Sequence, residues 1–122
     1  MLEAVWPYRD VFITPMAAVA GAVAEEVLGA MTGATRLRKA YVNNGGDIAI
    51  HLAEGAEMTV GVVADLAAPA VDARVALRHG DPIRGIATSG WRGRSLSLGI
   101  ADAVTVLAAT AAGADAGATM IA

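Results

Sequence analysis

The chain has 122 residues, a formal net charge of −3 and no cysteine, and 56% of its residues are hydrophobic although only 4% are aromatic. The length fits at most one domain, and the charge argues against non-specific nucleic-acid binding, which needs a basic surface. The lack of cysteine excludes disulfides, thiolate metal sites and thiol catalysis.

The mean hydropathy of +0.53 raises the question of whether the chain inserts into a membrane. The two most apolar segments, 11–31 and 98–122, each carry two acidic residues. A charge at the centre of a spanning helix costs about 3 kcal/mol, which weakly hydrophobic Ala and Gly cannot offset. The first residues also lack the basic and apolar regions of a signal peptide. We therefore expect a soluble, cytoplasmic protein without a membrane span.

The first long element is a helix from about Pro15 to Met31, since Thr14-Pro15 is typical of a helix start. Glu25 and Glu26 are expected to face solvent. Small residues should pack closely on a sheet along the opposite face, which holds Ala17, Gly21, Ala24 and Leu28.

Short strands follow, and a final helix is predicted over 110–121. The alternation of apolar and polar residues and the Gly or Pro turns place the strands at 40–43, 47–52, 58–63, 71–77, 83–87, 96–98 and 103–107. A helix, several antiparallel-looking strands and a second helix form an α+β pattern, not alternating βαβ units.

The final helix carries the first candidate site. Asp115 and Thr119 are four residues apart in a segment, 111–122, that holds no other charge. On a helix they share one face, where a carboxylate and a hydroxyl among small residues leave room for a hard cation or a phosphate. The alternative is a solvated Asp beside a Thr that bonds back to its own helix.

A second candidate is the turn Asn43-Asn44-Gly45-Gly46-Asp47 between two strands. Its glycines permit positive φ and allow a ligand near the backbone, while Asn and Asp offer directed hydrogen bonds. The alternative is an ordinary hairpin turn, for which Asn-Gly is a strong signal.

The third candidate is Ala87-Thr88-Ser89-Gly90, which follows a strand and precedes Trp91, Arg92 and Arg94. Backbone amides, hydroxyls and guanidinium groups so close together suit a phosphate or pyrophosphate. A polar turn with solvated arginines is the alternative.

Taken in order, these segments make the chain resemble the ApbE superfamily, which is known for flavin transferases. Residues 19–23 are similar to that family's Ala-Lys-Gly helix motif, 44–48 to its Asn-x-Gly-Gly-Asp turn, 87–90 to its Ala-Thr-Ser-Gly strand end, and 114–119 to its Ala-Asp-Ala-x-x-Thr helix. The resemblance is strongest to a short branch whose members share Pro-Met-Ala-Ala-Val-Ala-Gly-Ala, here 15–22, and Ser-Gly-Trp-Arg-Gly-Arg, here 89–94.

The resemblance implies a T-fold-like antiparallel sheet with an N-terminal and a C-terminal helix packed on it, and binding of FAD and Mg²⁺. By position, Asp115 and Thr119 would hold the metal with a backbone carbonyl near Val19. The residues expected to bind the flavin nucleotide are Asn44, Gly45, Gly46, Asp47, Thr88, Ser89 and Gly90. The reaction would be FMN transfer or cleavage of the FAD pyrophosphate, with no catalytic residue assigned.

The chain also departs from the family. Ala20 replaces the lysine of the helix motif, and no His-x-x-Asp-Pro segment follows Gly90. We expect residues 1–122 to form one ApbE-like domain without the family's N-terminal portion, so a homo-oligomer or a completing chain is a further expectation. The alternative function is a non-catalytic, self-associating module that keeps the same turns for packing.

Overall fold

The computed structural model describes residues 1–63, 70–71, 73–91, 97 and 99–122. Its helices are α1 (Leu2–Val5), α2 (Val19–Ala34) and α3 (Ala111–Ile121), and 3-10 turns cover Trp6–Tyr8 and Pro15–Ala18. Its strands are β1 (Lys39–Asn44), β2 (Asp47–Leu52), β3 (Glu57–Val62), β4 (Ala73–Arg78), β5 (Gly85–Ser89) and β6 (Val104–Ala108). The predicted α+β class, an antiparallel sheet with helices near both ends of the chain, is confirmed.

The strands form a four-stranded sheet, in the order β1-β2-β5-β6, and a separate hairpin of β3 and β4. Every pairing is antiparallel. The register places Tyr41 opposite Ile50 and Thr88 opposite Thr105. Ile48 lies opposite Ile86 and Ala49 opposite Gly85, so the start of β2 lies beside the start of β5.

The four-stranded sheet has two different faces, because successive side chains of a strand point to opposite sides. One face carries the helices: Ala49 packs with Ala24, Leu28 and Ala111, and Ala87 packs with Ala114 and Ala118. We call it the helix face. The opposite face packs on the β3–β4 hairpin, where Ile50, Leu52 and Ile86 of the sheet form one apolar cluster with Leu77 of β4.

Glycine allows the helix layer to approach the sheet and to pack within itself. A Cβ added at Gly21 of α2 would lie 2.3 Å from the carbonyl oxygen of Ala111, and one added at Gly85 of β5 would lie 2.3 Å from the amide nitrogen of Ala111. The start of α3 therefore contacts both elements through backbone. The expected small-residue face of α2 is confirmed, since Gly21, Ala24 and Leu28 are all buried.

Some boundaries differ from those predicted. The helix expected at Pro15 begins as a 3-10 turn, and α2 continues to Ala34. Strands β4 and β5 each begin two residues later than predicted. The strand expected at 96–98 falls in a part of the chain where the structure describes Ser97 alone. The short helix α1 was not predicted; its Val5 packs against Ala112 and Ala116.

One helical segment of the described residues, Pro15–Ala34, is long and apolar enough to meet the length and hydropathy criteria for crossing a membrane. A single such segment is weak evidence, because a core helix of a globular protein passes the same criteria. In this structure Gly21, Ala24 and Leu28 of the segment are buried against the rest of the protein.

Candidate functional site

The β1–β2 turn forms one side of the candidate site. Gly45 and Gly46 have φ of 72° and 116°, the left-handed conformations that a two-residue hairpin turn of this type requires. The Gly46 amide donates to Asn43 Oδ1 at 2.9 Å, which closes the turn. No atom lies within 4 Å of a Cβ built on either glycine, so the turn is open to a ligand.

The residues that flank the turn face the first turn of α2. Asn44 and Asp47 are directly paired across the hairpin. Asn44 Nδ2 donates to the carbonyl oxygen of Ala20 at 3.2 Å, which ties the turn to α2. Asp47 lies two residues before Ala49, whose side chain is on the helix face, so Asp47 is on that face as well.

Asp115 of α3 approaches the same place from above the sheet. Its Oδ2 accepts a hydrogen bond from the backbone amide of Gly21 at 3.0 Å. Burial of the carboxylate raises the pKa of Asp115, and the backbone amides of Gly21 and Ala20 partly oppose that effect. Thr119 is also half-buried and lies one helical turn farther along α3, on the same side of that helix as Asp115.

The pKa of Asp47 is raised more strongly than that of Asp115. Burial and the nearby charge of Asp115 raise the pKa of Asp47 to about 7, although a hydrogen bond from the Thr88 backbone favours the ionised form. The structure therefore brings Asp47, Asp115 and the Thr88 amide together. Three segments that are far apart in sequence, the β1–β2 turn, the end of β5 and α3, meet at this carboxylate pair.

Thr88 and Ser89 point to opposite sides of the sheet, as neighbours on a strand must. Thr88 Oγ1 is 2.8 Å from Thr105 Oγ1 on the exposed side, so its backbone faces Asp47 but its hydroxyl does not. Ser89 is 6% exposed. It shares the helix face with Gly85 and Ala87, and its buried Oγ has no hydrogen-bond partner within the described part of the chain.

Gly90 and Trp91, which follow Ser89, both contact Asp102. A Cβ on Gly90 would lie 2.1 Å from the carbonyl oxygen of Asp102, so glycine is needed there for close approach of the backbone. Trp91 Nε1 donates to Asp102 Oδ1 at 2.7 Å. Arg92 and Arg94, the expected phosphate-binding guanidiniums, lie outside the described residues.

The expectation that Glu25 faces solvent was wrong. Its Oε1 accepts a hydrogen bond from the backbone amide of Ala112 at 3.0 Å and so binds a free N–H of the first turn of α3. Thr110 is the N-cap of that helix and accepts from the Gly113 amide at 3.0 Å. Glu26 is exposed, as predicted. The position of Glu25 beside the small-residue face was the signal that sequence reasoning missed.

A separate cavity of about 360 Å³ lies near Glu25, between α2, β2 and the start of α3. Its polar lining includes Thr32, His51, Arg84 and Thr110 but neither Asp47 nor Asp115. Arg84 donates to the backbone carbonyls of Asp81 and Ile83, at 2.8 and 2.6 Å, so its guanidinium supports the β4–β5 connection.

The donor set at the carboxylate pair fits a hard cation. No group of three or more His, Cys, Asp or Glu that could hold a metal occurs among the residues that the structure describes. Magnesium needs no such group, because proteins commonly hold it by one or two carboxylates while waters and phosphate oxygens fill the other positions. Two half-buried carboxylates whose negative charges repel each other are therefore chemically suitable ligands for such a cation.

Comparison with known proteins finds relatives that are more than twice as long as this chain. A UPF0280 protein of Methanothermobacter thermautotrophicus is 41% identical over 115 residues, which cover 93% of this chain and 43% of that protein. A UPF0280 protein of Methanoculleus marisnigri is 43% identical over 110 residues, or 89% of this chain and 44% of its own length. The chain thus spans less than half the length of these relatives.

No solved structure gives a significant match to the chain. The sequence profile of one protein family, described as AbpE bacteria, matches residues 1–122 in full. The matched range includes the β1–β2 turn, the end of β5 and α3, and hence every residue of the candidate site. The chain is therefore a member of the AbpE bacteria family.

Proposed function

We propose that this chain is a cytoplasmic flavin-nucleotide-binding protein that takes up FAD together with Mg²⁺ at the Asp47–Asp115 site. The observation that carries the proposal is the meeting of Asp47 and Asp115 beside the backbone amide of Thr88. The resemblance of the four motifs to the ApbE superfamily supports the identity of the ligand. In this structure the four segments that carry these motifs lie together around Asp47 and Asp115.

The metal part of the proposal rests on Asp115 and Thr119. Asp115 is already oriented by the backbone amides of Gly21, at 3.0 Å from Oδ2, and Ala20, and a carboxylate has further lone pairs that can bind a cation. Thr119 would add a hydroxyl from the next turn of α3. A bound Mg²⁺ would act as a Lewis acid that offsets the charge of a diphosphate.

The nucleotide part rests on backbone rather than on bulky side chains. Gly45 and Gly46 leave the turn open, with no atom within 4 Å of the position that a Cβ would take on either residue. A flat ring or a phosphate can thus come close to the main chain there. The buried Ser89 hydroxyl, which lacks a partner among the described residues, would gain one from the ligand.

Such a site would support FMN transfer to an acceptor or cleavage of the FAD pyrophosphate. In either reaction this chain would orient the diphosphate beside the Asp47–Asp115 pair. Both reactions are proposals for the whole protein, since the chain covers 43% of the first relative.

The test is flavin binding with and without Mg²⁺. We expect the purified protein to quench FAD fluorescence and to gain thermal stability with FAD only when Mg²⁺ is present. Asp115→Asn should abolish the Mg²⁺-dependent binding of FAD, whereas Glu54→Gln, which changes an exposed carboxylate in the β2–β3 turn, should leave that binding unchanged. Unchanged flavin spectra and melting temperature in the wild-type protein would refute the proposal.

A second candidate function, self-association without catalysis, is favoured by the exposed side of α2. Val23, Val27 and Met31 are 48%, 45% and 39% exposed and follow one another at four-residue spacing. On the same helix, a Cβ added at Gly29 or Gly33 would have no atom within 4 Å. Glycine costs about 1 kcal/mol inside a helix, and nothing within the described part of the chain requires it at these positions. Close approach of a second copy of this chain would require it.

A further inference from the structure

We propose that the cavity beside Glu25, between α2, β2 and the start of α3, binds a small zwitterion of the chemical class of free α-amino acids. The cavity measures about 360 Å³, within the range of roughly 300–1,000 Å³ that is usual for small-molecule sites. Neither Asp47 nor Asp115 lines it, so the cavity is separate from the proposed flavin site. The inference therefore goes beyond the proposed function and does not depend on it.

Arg84 supplies the donors that suit a carboxylate. A guanidinium has five N–H donors, and in Arg84 three of them go to the backbone carbonyls of Asp81, Ile83 and His79. The Nε–H and one Nη2–H have no acceptor among the residues that the structure describes. A carboxylate accepts two N–H groups of one guanidinium in parallel, so these two donors fit the carboxylate of a ligand.

The same cavity also carries three groups that can accept hydrogen bonds. Glu25 Oε1 binds the Ala112 amide, and its carboxylate has further lone pairs. His51 Nε2 is 3.1 Å from the carbonyl oxygen of Leu37, which only accepts, so Nε2 carries the proton and Nδ1 of the neutral ring accepts. Thr32 donates its hydroxyl proton to the backbone of α2 and keeps its oxygen as an acceptor. An ammonium group has three N–H donors, which matches this set.

The charges of Glu25 and Arg84 are the second support. Within the described part of the chain, both side chains form hydrogen bonds to backbone groups and not to a side chain of opposite charge. A charged group that is partly removed from water is stabilised when an opposite charge accompanies it. A ligand with both an ammonium and a carboxylate would supply a partner for each residue, whereas a simple anion or cation would supply only one.

Gly29 is the third support. It lines the cavity, and a Cβ added there would meet no atom within 4 Å. Glycine destabilises a helix interior, so its presence needs a reason. Space for a ligand is such a reason, because a side chain at Gly29 would occupy part of the cavity. Gly33 has equally open surroundings but does not line the cavity, so self-association would explain both glycines and a ligand would explain Gly29 alone.

The test follows thermal unfolding of the full chain with each of the standard L-amino acids at millimolar concentration. At least one of them should raise the Tm in a saturable manner, because a ligand that binds only the folded state stabilises that state. The N-acetyl and carboxamide forms of that amino acid each lack one charge and should each bind about tenfold more weakly in calorimetry. No shift with any amino acid, or equal affinity for either blocked form, would overturn the proposal.

Two glycine variants place the binding in this cavity. Gly29→Leu should abolish the shift in Tm, whereas Gly33→Leu, the matched control on the same helix, should keep it. A shift that survives Gly29→Leu would overturn the proposal. Binding of FAD with Mg²⁺ should be the same in Gly29→Leu and in the wild type, so the loss of either binding activity leaves the other proposal standing.

A measurement on the wild type covers the case in which Gly29→Leu does not fold. In amide-resolved NMR spectra, the bound amino acid should shift the resonances of Gly29, His51 and Thr110, which line the cavity. The resonances of Gly45, in the β1–β2 turn, and Gly55, in the β2–β3 turn, should stay in place. Shifts centred on other residues would overturn the proposal.

Discussion

Gly21 donates its backbone amide to the carboxylate of Asp115 at 3.0 Å, although the two residues are 94 positions apart in sequence. Gly21 also lies against the backbone of Ala111, where α2 and α3 touch. The contact that fixes the candidate ligand is therefore part of the helix–helix interface. Any change that separates the two helices should disturb the site as well as the fold.

The closeness of this interface leads to the first prediction. Gly21→Ala would place a Cβ 2.3 Å from the Ala111 carbonyl oxygen, which is backbone and cannot move aside easily. We expect it to lower the free energy of unfolding by about 3 kcal/mol or more. Gly29→Ala, on the same helix with open space around it, should instead raise that free energy by about 0.5 to 1 kcal/mol. Urea denaturation measures both, and equal effects would contradict the packing argument.

The second prediction concerns Glu25, which binds a free amide of α3. Glu25→Ala should lower the free energy of unfolding by about 1 kcal/mol more than Glu26→Ala, because only Glu25 accepts from the Ala112 amide. Both positions lie inside α2 and make the same change in helix propensity, so the difference isolates the capping bond. Thermal unfolding measures both variants. Equal losses of stability in the two would show that the hydrogen bond contributes nothing.

Much of the fold was predictable because local signals and tertiary packing agree. Alternation placed β2 correctly at 47–52, and Gly45-Gly46 provided the positive φ that its turn needs. The small residues of α2 correctly marked its buried face. The alternation of side chains along a strand also predicts that Thr88 and Ser89 face opposite sides of the sheet. The sequence analysis nevertheless grouped their hydroxyls in one candidate site.

Other features depend on the approach of distant segments and leave little local trace. Glu25 resembles any exposed helical acid until α3 is seen to begin beside it. The role of Gly90 depends on Asp102, which reaches it through a connection that sequence alone does not position. The placement of Asp47 and Asp115 in one site was expected only from the family resemblance, because no spacing within the chain encodes how α2, β5 and α3 converge.

The third prediction tests self-association. If the exposed side of α2 binds a second copy, the wild type should sediment as a dimer at concentrations where Val27→Glu is a monomer, since a buried unpaired carboxylate opposes association. Ile100→Glu is the matched control, because Ile100 is apolar and 95% exposed but lies outside α2. A wild type that stays monomeric at every concentration in sedimentation velocity would rule out this function.

The fourth prediction is a pH dependence caused by Asp47. Its pKa rises from 3.8 to about 7 in the folded protein, so the native state holds a proton that the unfolded chain has lost between those values. Proton binding by the native state makes the free energy of unfolding fall as pH rises through that window. Burial and the raised pKa of Asp115 act in the same direction. Because Asp47 is only half-buried, solvent screening should limit its share of the loss to roughly 1 to 2 kcal/mol.

Asp47→Asn removes the titrating group and should flatten this dependence in metal-free buffer that contains a chelator. We expect the variant to be more stable than the wild type at pH 8, where the wild type carries the buried charge, and to lose that advantage at pH 4. Glu54→Gln should follow the wild-type profile, because Glu54 is exposed in the β2–β3 turn. Urea unfolding between pH 4 and 8 measures the three profiles. An Asp47→Asn curve parallel to that of the wild type would mean that the Asp47 carboxylate is solvated in the native protein.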